Sequence, residues 1–154
     1  MPQTTQQVQS YEEHVVSYTG TTADIALNNI VCATGLKETD GTAIVVRPAT
    51  AHLTKAKYLV VGLPPNVNEI VTGTTRRGGL IRVIPLKTAI GTFTMTCGVV
   101  AADAYVGVAD GSFLATSISD SSNDTIAEQA RYIGQNLTDL SGGAGNGQVH
   151  VGGF

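Results

Sequence analysis

Three histidines, two cysteines, a pair of adjacent arginines and one glycine-rich run are the residues of this chain whose types invite chemistry. His14 follows Glu12 and Glu13, a spacing that offers an acid/base pair or the start of a metal site. In an extended segment residues i and i+2 share a face and i and i+1 do not, so Glu12 stands beside His14 and Glu13 points away. Two groups fall short of a metal site, and the pair reads as a solvated strand face. His52 and His150 are remote in sequence and without partner motifs, and each reads as a surface or strand-face residue. Cys32 and Cys97 form no CxxC and have no His pair nearby, which removes zinc and thioredoxin spacings and leaves buried free thiols. Ser141-Gly142-Gly143-Ala144-Gly145-Asn146-Gly147 invites a phosphate-loop reading. No Lys-Ser/Thr follows it, and it runs into the alternating Gln148-Val149-His150-Val151 instead of a helix, so it reads as a hairpin loop. Arg76 and Arg77, within the turn Thr72 to Gly79, offer an anion or acidic-surface contact or simply a solvated hairpin tip.

A catalytic set requires a nucleophile with its base, paired carboxylates or a metal cluster within mutual reach. The chain has no GxSxG and no HExxH. Asp103-Ala104-Tyr105-Val106-Gly107 comes nearest to the motif of the trimeric β nucleotidohydrolases, but it lacks their second Asp and their Arg. The expectation is a protein that is not an enzyme and uses no cofactor and no metal.

The elements that carry these residues are β-rich. Eighteen Gly in 154 residues, with many Thr and Val and only 14% charged residues, describe a turn-rich globular chain with no need of a disulfide staple. A net charge of −3 lacks the basic face of a general nucleic-acid binder, and no apolar run approaches membrane-span length. Neither nucleic acid nor membrane is expected as a partner, and a soluble protein made in a cytoplasm is.

Ala56-Lys57-Tyr58-Leu59-Val60-Val61-Gly62-Leu63 recurs as Ala130-Arg131-Tyr132-Ile133-Gly134-Gln135-Asn136-Leu137, at an offset of 74 residues. At the same offset Ile25 falls on Val99, Asn29 on Asp103 and Val31 on Tyr105. Once the segment after the block is allowed to be shorter in the second copy, Leu80-Ile81-Arg82-Val83 falls on Gln148-Val149-His150-Val151. Such a period is too long for a solenoid unit and describes a duplicated small domain.

Between these anchors, Tyr11 to Tyr18 has strand composition, Ala43 to Val46 is an apolar run halted by Pro48, and Lys57 to Leu63 is a strand. From Thr92 to Cys97 the chain alternates with period two, placing Phe93, Met95 and Cys97 on the core face. Asp40-Gly41 and Asp110-Gly111 mark hairpins, the second between Ala104–Val108 and Ser112–Ala115. Thr125 to Gln129 fits a brief helical turn capped by the Ser-rich loop from Ser117. The fold expected is all-β, two similar small β-barrel or β-sandwich halves from an internal duplication, with an extended N-terminal arm. The boundaries are 1–22 for arm and first strand, 23–86 for the first half, 87–96 for a connecting strand and 97–154 for the second half. The core expected is Ile44, Val46, Val61, Ile81, Val83, Phe93, Val106, Phe113, Ile133 and Val149, with Tyr58 and Tyr132 in equivalent places.

The second half resembles the head decoration, or capsid cement, proteins of tailed bacteriophages. The residues that carry the resemblance are Ala102-Asp103-Ala104-Tyr105-Val106, Asp110-Gly111, Tyr132-Ile133-Gly134, and Gly142-Gly143 through Val149-His150-Val151. It spans roughly residues 98 to 154, while the first half matches only through the repeat. The resemblance implies a virion protein, made in the host cytoplasm, that binds the major capsid protein on the outside of the head as a homotrimer and stiffens the shell. The alternative is a β-sandwich carbohydrate-binding module, against which the absence of Trp counts. The contact residues expected are Tyr11, Val15, Tyr18, Arg76 and Arg77. Met1 to Ser10 is polar and too poor in apolar groups to offset its ordering entropy alone, so it and Tyr11–Tyr18 are expected to add a strand to another chain, leaving the fold intact when residues 1–18 are removed.

Overall fold

A computed structural model describes residues 9–20, 25–65, 70–71, 75–76, 79–118 and 130–152, with backbone alone at 70–71 and 75–76. The first half holds β1 (His14–Tyr18), β2 (Ile30–Lys37), β3 (Ala43–Val46), a 3-10 turn at Thr50–His52, β4 (Lys57–Gly62), β5 (Ile70–Val71), β6 (Thr75–Arg76) and β7 (Gly79–Pro85). The second holds β8 (Gly91–Cys97), β9 (Tyr105–Gly107), β10 (Thr116–Ser117), β11 (Tyr132–Asn136) and β12 (Gly145–Val151).

The chain is all-β and its two halves repeat one topology. Five strands of the first close into a barrel in the order β1-β3-β2-β4-β7, and the second forms a five-stranded sheet in the order β10-β9-β11-β12-β8. Read round the closed barrel from β3, as β3-β2-β4-β7-β1, the first order becomes the second when β1, β2, β3, β4 and β7 are replaced by β8, β9, β10, β11 and β12. Closure of the first barrel comes from β1, antiparallel to β7 and parallel to β3. In the second half the matching closure is one parallel bridge between Cys97 and Ala115, held by Gly98 N–H to Ala115 O at 2.9 Å and Ala115 N–H to Thr96 O at 2.9 Å. The repeated sequence block forms the equivalent strand of each half, β4 and β11.

Two cores divide the apolar residues. Val16, Tyr18, Ile25, Val31, Val45, Val60, Ile81 and Val83 fill the barrel. Ile30, Cys32, Leu59, Ile84 and Leu86, facing out of the barrel, meet Phe93, Met95, Cys97, Val106, Ile133 and Val149 of the second half in a shared core. Successive residues of a strand point to opposite faces, so β2 and β4, buried on both, read as the unbroken runs Ile30-Val31-Cys32 and Leu59-Val60-Val61. The other pattern appears in β8, which alternates buried and half-buried over its whole length with Phe93, Met95 and Cys97 inward, and pairs with β12 from Gly91–Val151 to Cys97–Gly145.

Several expectations change. The strand near Tyr18 does not pair outside its own half: His14–Tyr18 is a barrel stave with Val16 2% and Tyr18 3% exposed, so residues 1–18 are not dispensable to the fold. The segment before it is also held within the chain, because Ser10 and Ile90 exchange backbone hydrogen bonds at 2.9 and 2.8 Å and the Gln9 side-chain amide donates to Thr92 O. The strand foreseen as a connector, β8, is the edge of the second sheet, and the chain crosses between halves at the turn from Leu86 to Thr88. The strand returning from Asp110-Gly111 begins at Thr116 and not at Ser112. Its turn docks on the first half instead: Gly111 N–H reaches Pro48 O at 2.8 Å, Thr50 N–H reaches Asp110 Oδ1 at 2.8 Å, and Phe113 packs at the barrel core with its ring 6.3 Å from that of Tyr18. In β3 it is Val45 that is buried, with Ile44 and Val46 half-buried, because a four-residue apolar run carries no phase. Val61, Tyr58, Phe113 and Tyr132 are half-buried, while Ile81, Val83, Phe93, Val106, Ile133 and Val149 lie in the core as expected. The expected helical turn at 125–129 lies outside the described residues, as do residues 1–8 of the arm.

Candidate functional site

The residues that invited chemistry are spread over separate elements. His14 Nε2 lies 3.2 Å from Glu12 Oε2 on an open face, as i and i+2 of an extended segment, with side chains 48% and 77% exposed. His150 sits on β12 opposite Thr92 and Gln135, and His52 ends the 3-10 turn. Among the described residues no group of three or more His, Cys, Asp or Glu could hold a metal ion, and no helix is long and apolar enough to cross a membrane. Both cysteines are buried free thiols. Burial pushes the Cys32 thiol up to about 11, against a smaller opposing pull from Lys57, and raises that of Cys97 as well.

The glycine-rich run is the hairpin joining β11 to β12. Its tip is closed by Asp139, whose Oδ1 accepts from Ser141 N–H at 3.0 Å and Ser141 Oγ at 2.6 Å, bonds that hold the carboxyl below its ordinary range. A loop that seats its own carboxylate is not open to another anion, and Gly145 to Gly147 already belong to β12.

Of the five contact residues foreseen, Tyr11 is 46% exposed with its ring edge-on to Phe93 at 5.6 Å, and Val15 is 57% exposed on the outer face of the barrel. Tyr18 is not a surface residue; the inward phase of β1 places it in the barrel core. Arg76 pairs by its backbone with Ile70 in the β5–β6 hairpin, and Arg77 lies outside the described residues.

Two of the exposed apolar groups, Val15 and Leu80, share the outer face of β1 and β7. Val15 is opposite Arg82 and Ser17 opposite Leu80, so Val15 and Leu80 are diagonal neighbours across the pair, and each is 57% exposed. Half-buried Ile44 follows beside Ser17 on β3. A polar edge surrounds them: Arg82 Nη1 lies 3.3 Å from Glu13 Oε2, and Ser17 Oγ donates to Glu38 Oε1 at 2.9 Å. Neither β1 nor β3 contributes to the core shared with the second half, and β7 enters it only at its far end, through Ile84.

A second site lies where the two repeat blocks meet. Lys57 opens β4 at 9% exposure, and its Nζ donates to Lys55 O at 2.8 Å and to Ala130 O, the first residue of the other block. Burial lowers the pKa of its ammonium, against a smaller opposing influence from Cys32. A cavity of about 410 Å³ opens beside it, lined also by Lys55, Lys87, Leu86, Tyr132 and Ile133. Burial and the neighbouring Tyr105 push the Tyr132 phenol up to about 12. Sequence reasoning passed over Lys57, which carried a signal only as a cation kept at the same repeat position as Arg131. Arg131 instead gives its Nε to Val108 O at 3.1 Å inside its own half.

No protein-family model, curated protein or solved structure matches this chain.

Proposed function

We propose that this chain is a structural protein that decorates an assembled phage head, binding the major capsid protein on the outer face of the shell and stiffening it. The observation that carries this reading is the outer face of β1 and β7, where Val15 and Leu80 stand exposed as diagonal neighbours beside the charged pair Arg82–Glu13. Exposed apolar groups rimmed by charge are the usual chemistry of a protein contact. The resemblance of residues 98–154 to capsid cement proteins supports the same reading and adds a homotrimer. Three chains, each with two halves of one topology, offer six similar lobes to a shell whose capsomers present six similar neighbours. Many weak contacts made together then hold firmly, since each bound lobe raises the effective concentration of the next.

The test is co-sedimentation with expanded capsid shells of tailed phages, using the wild-type chain and the double variant Val15→Asp/Leu80→Asp. The wild type is expected in the pellet and the folded variant in the supernatant. Failure of the wild type to sediment with any shell, or equal sedimentation of the variant, overturns the reading, and saccharide binding in its place would make the chain a carbohydrate-binding module.

A further inference from the structure

We propose that the cavity between the two repeat blocks is a binding site for a small organic oxyanion, an apolar body bearing one phosphate or carboxylate head, with Lys57 as the buried anchor and Lys55 and Lys87 at the mouth. The chain holds only nine Lys and Arg, and three of its lysines line this one cavity. No carboxylate stands among its described lining residues. Lys57 is the unusual member, a cation with 9% of its surface exposed. An ammonium has three N–H donors, and among the described residues two go to the carbonyls of Lys55 and Ala130, which leaves one for a ligand. Carbonyl dipoles soften the burial of this charge without neutralising it, and buried charges are as a rule paired. Lys55 and Lys87 are exposed, and two further ammoniums around a partly enclosed space focus a positive potential on it.

The remaining walls set the shape of the ligand. Leu86, Tyr132 and Ile133 supply apolar surface, and about 410 Å³ lies within the range of small-molecule sites and well above the needs of an inorganic ion. Recognition is thus divided between a charged head at Lys57 and an apolar body against the wall from β11. Nothing in this assignment uses the outer face of β1 and β7, so it stands or falls separately from capsid binding.

The test is calorimetric titration of the full chain with four probes: phenyl phosphate, benzoate, inorganic phosphate and benzyl alcohol. Phenyl phosphate or benzoate is expected to saturate at concentrations below about 10 mM, whichever does so naming the head group, with inorganic phosphate weaker and the neutral alcohol not saturating. Lys57→Met is expected to weaken binding by about tenfold or more, the loss of one hydrogen bond to a charged group. The double variant Lys55→Gln/Lys87→Gln changes only exposed side chains, and a weakening there keeps the proposal testable should Lys57→Met not fold. Absence of saturable binding by both organic anions, equal binding of benzyl alcohol, or unchanged affinity in either folded variant overturns the proposal.

Discussion

Replacing Tyr18 by Ala tests whether β1 is a stave of the first barrel or an appendage of it. Tyr18 is 3% exposed among Val16, Val31, Val45 and Ile81, and its ring fills the space that a side chain at Gly20 would need, its hydroxyl oxygen lying 2.1 Å from where a Cβ would stand. Truncation therefore opens a cavity bounded by three strands and by Phe113 from the second half. Large aromatic truncations in cores cost about 3–5 kcal/mol. In a chain of this length each kcal/mol lowers Tm by about 2–4 °C, so the variant should melt about 6–20 °C below the wild type. Urea unfolding followed by far-UV circular dichroism measures the loss, with an unchanged m-value confirming that the unfolded state is not what altered. Val15→Ala, three residues away on the opposite face of the same strand, is the control and should stay within about 0.5 kcal/mol. A loss at Tyr18 no larger than that of Val15→Ala would refute the barrel assignment of β1.

The thiol of Cys32 ionises near 9.0 in the unfolded chain and only at about 11 when buried, so the folded state binds more protons across that window and stability falls as pH rises through it, by about 3 kcal/mol from this group. Lys57, whose pKa is lowered, acts in the opposite sense, so the comparison that isolates the thiol is the alkaline loss of wild type against Cys32→Ala in urea; equal losses would refute it. Gly134→Ala should cost about 1–3 kcal/mol, because a Cβ there would stand 2.2 Å from the backbone oxygen of His150, which is fixed by the β11–β12 ladder. An unshifted urea midpoint for that variant would show that the ladder gives way at no cost.

Period and punctuation carried the fold. The alternation from Thr92 to Cys97 fixes the inward face of β8 residue by residue, and the 74-residue repeat places β4 and β11 at matching points of two like halves. Phase was lost where a strand is apolar on both faces, as in Ala43–Val46, whose neighbours cannot be ranked by hydropathy alone. Connectivity across the halves was lost for a different reason. Asp110-Gly111 has the chemistry of a tight hairpin turn, yet its carboxylate and backbone are spent on Thr50 and Pro48, residues remote in sequence, and the paired strand resumes only at Thr116. Tyr18 was misplaced because strand composition says that a segment pairs and leaves open what it pairs with. Lys57 was passed over because local sequence records a charge but not its burial.

Duplication of a barrel creates a problem of faces, and the two halves solve it differently. A small barrel needs one buried face per strand, but two barrels that share a core need some strands buried on both. The first half meets this with β2, β4 and β7, whose outward residues Ile30, Cys32, Leu59 and Ile84 are apolar, and keeps its full closure through β1. The second half spends its inward face, Phe93, Met95, Val106 and Val149, on that same shared core, and its own closure shrinks to the bridge between Cys97 and Ala115. The basic position of the repeat diverges along the same line. Arg131 stays within its half and ties to Val108, whereas Lys57 spans the junction to Ala130. A cation carried across an apolar junction is costly to bury, and the same burial places its remaining donor beside a partly enclosed cavity.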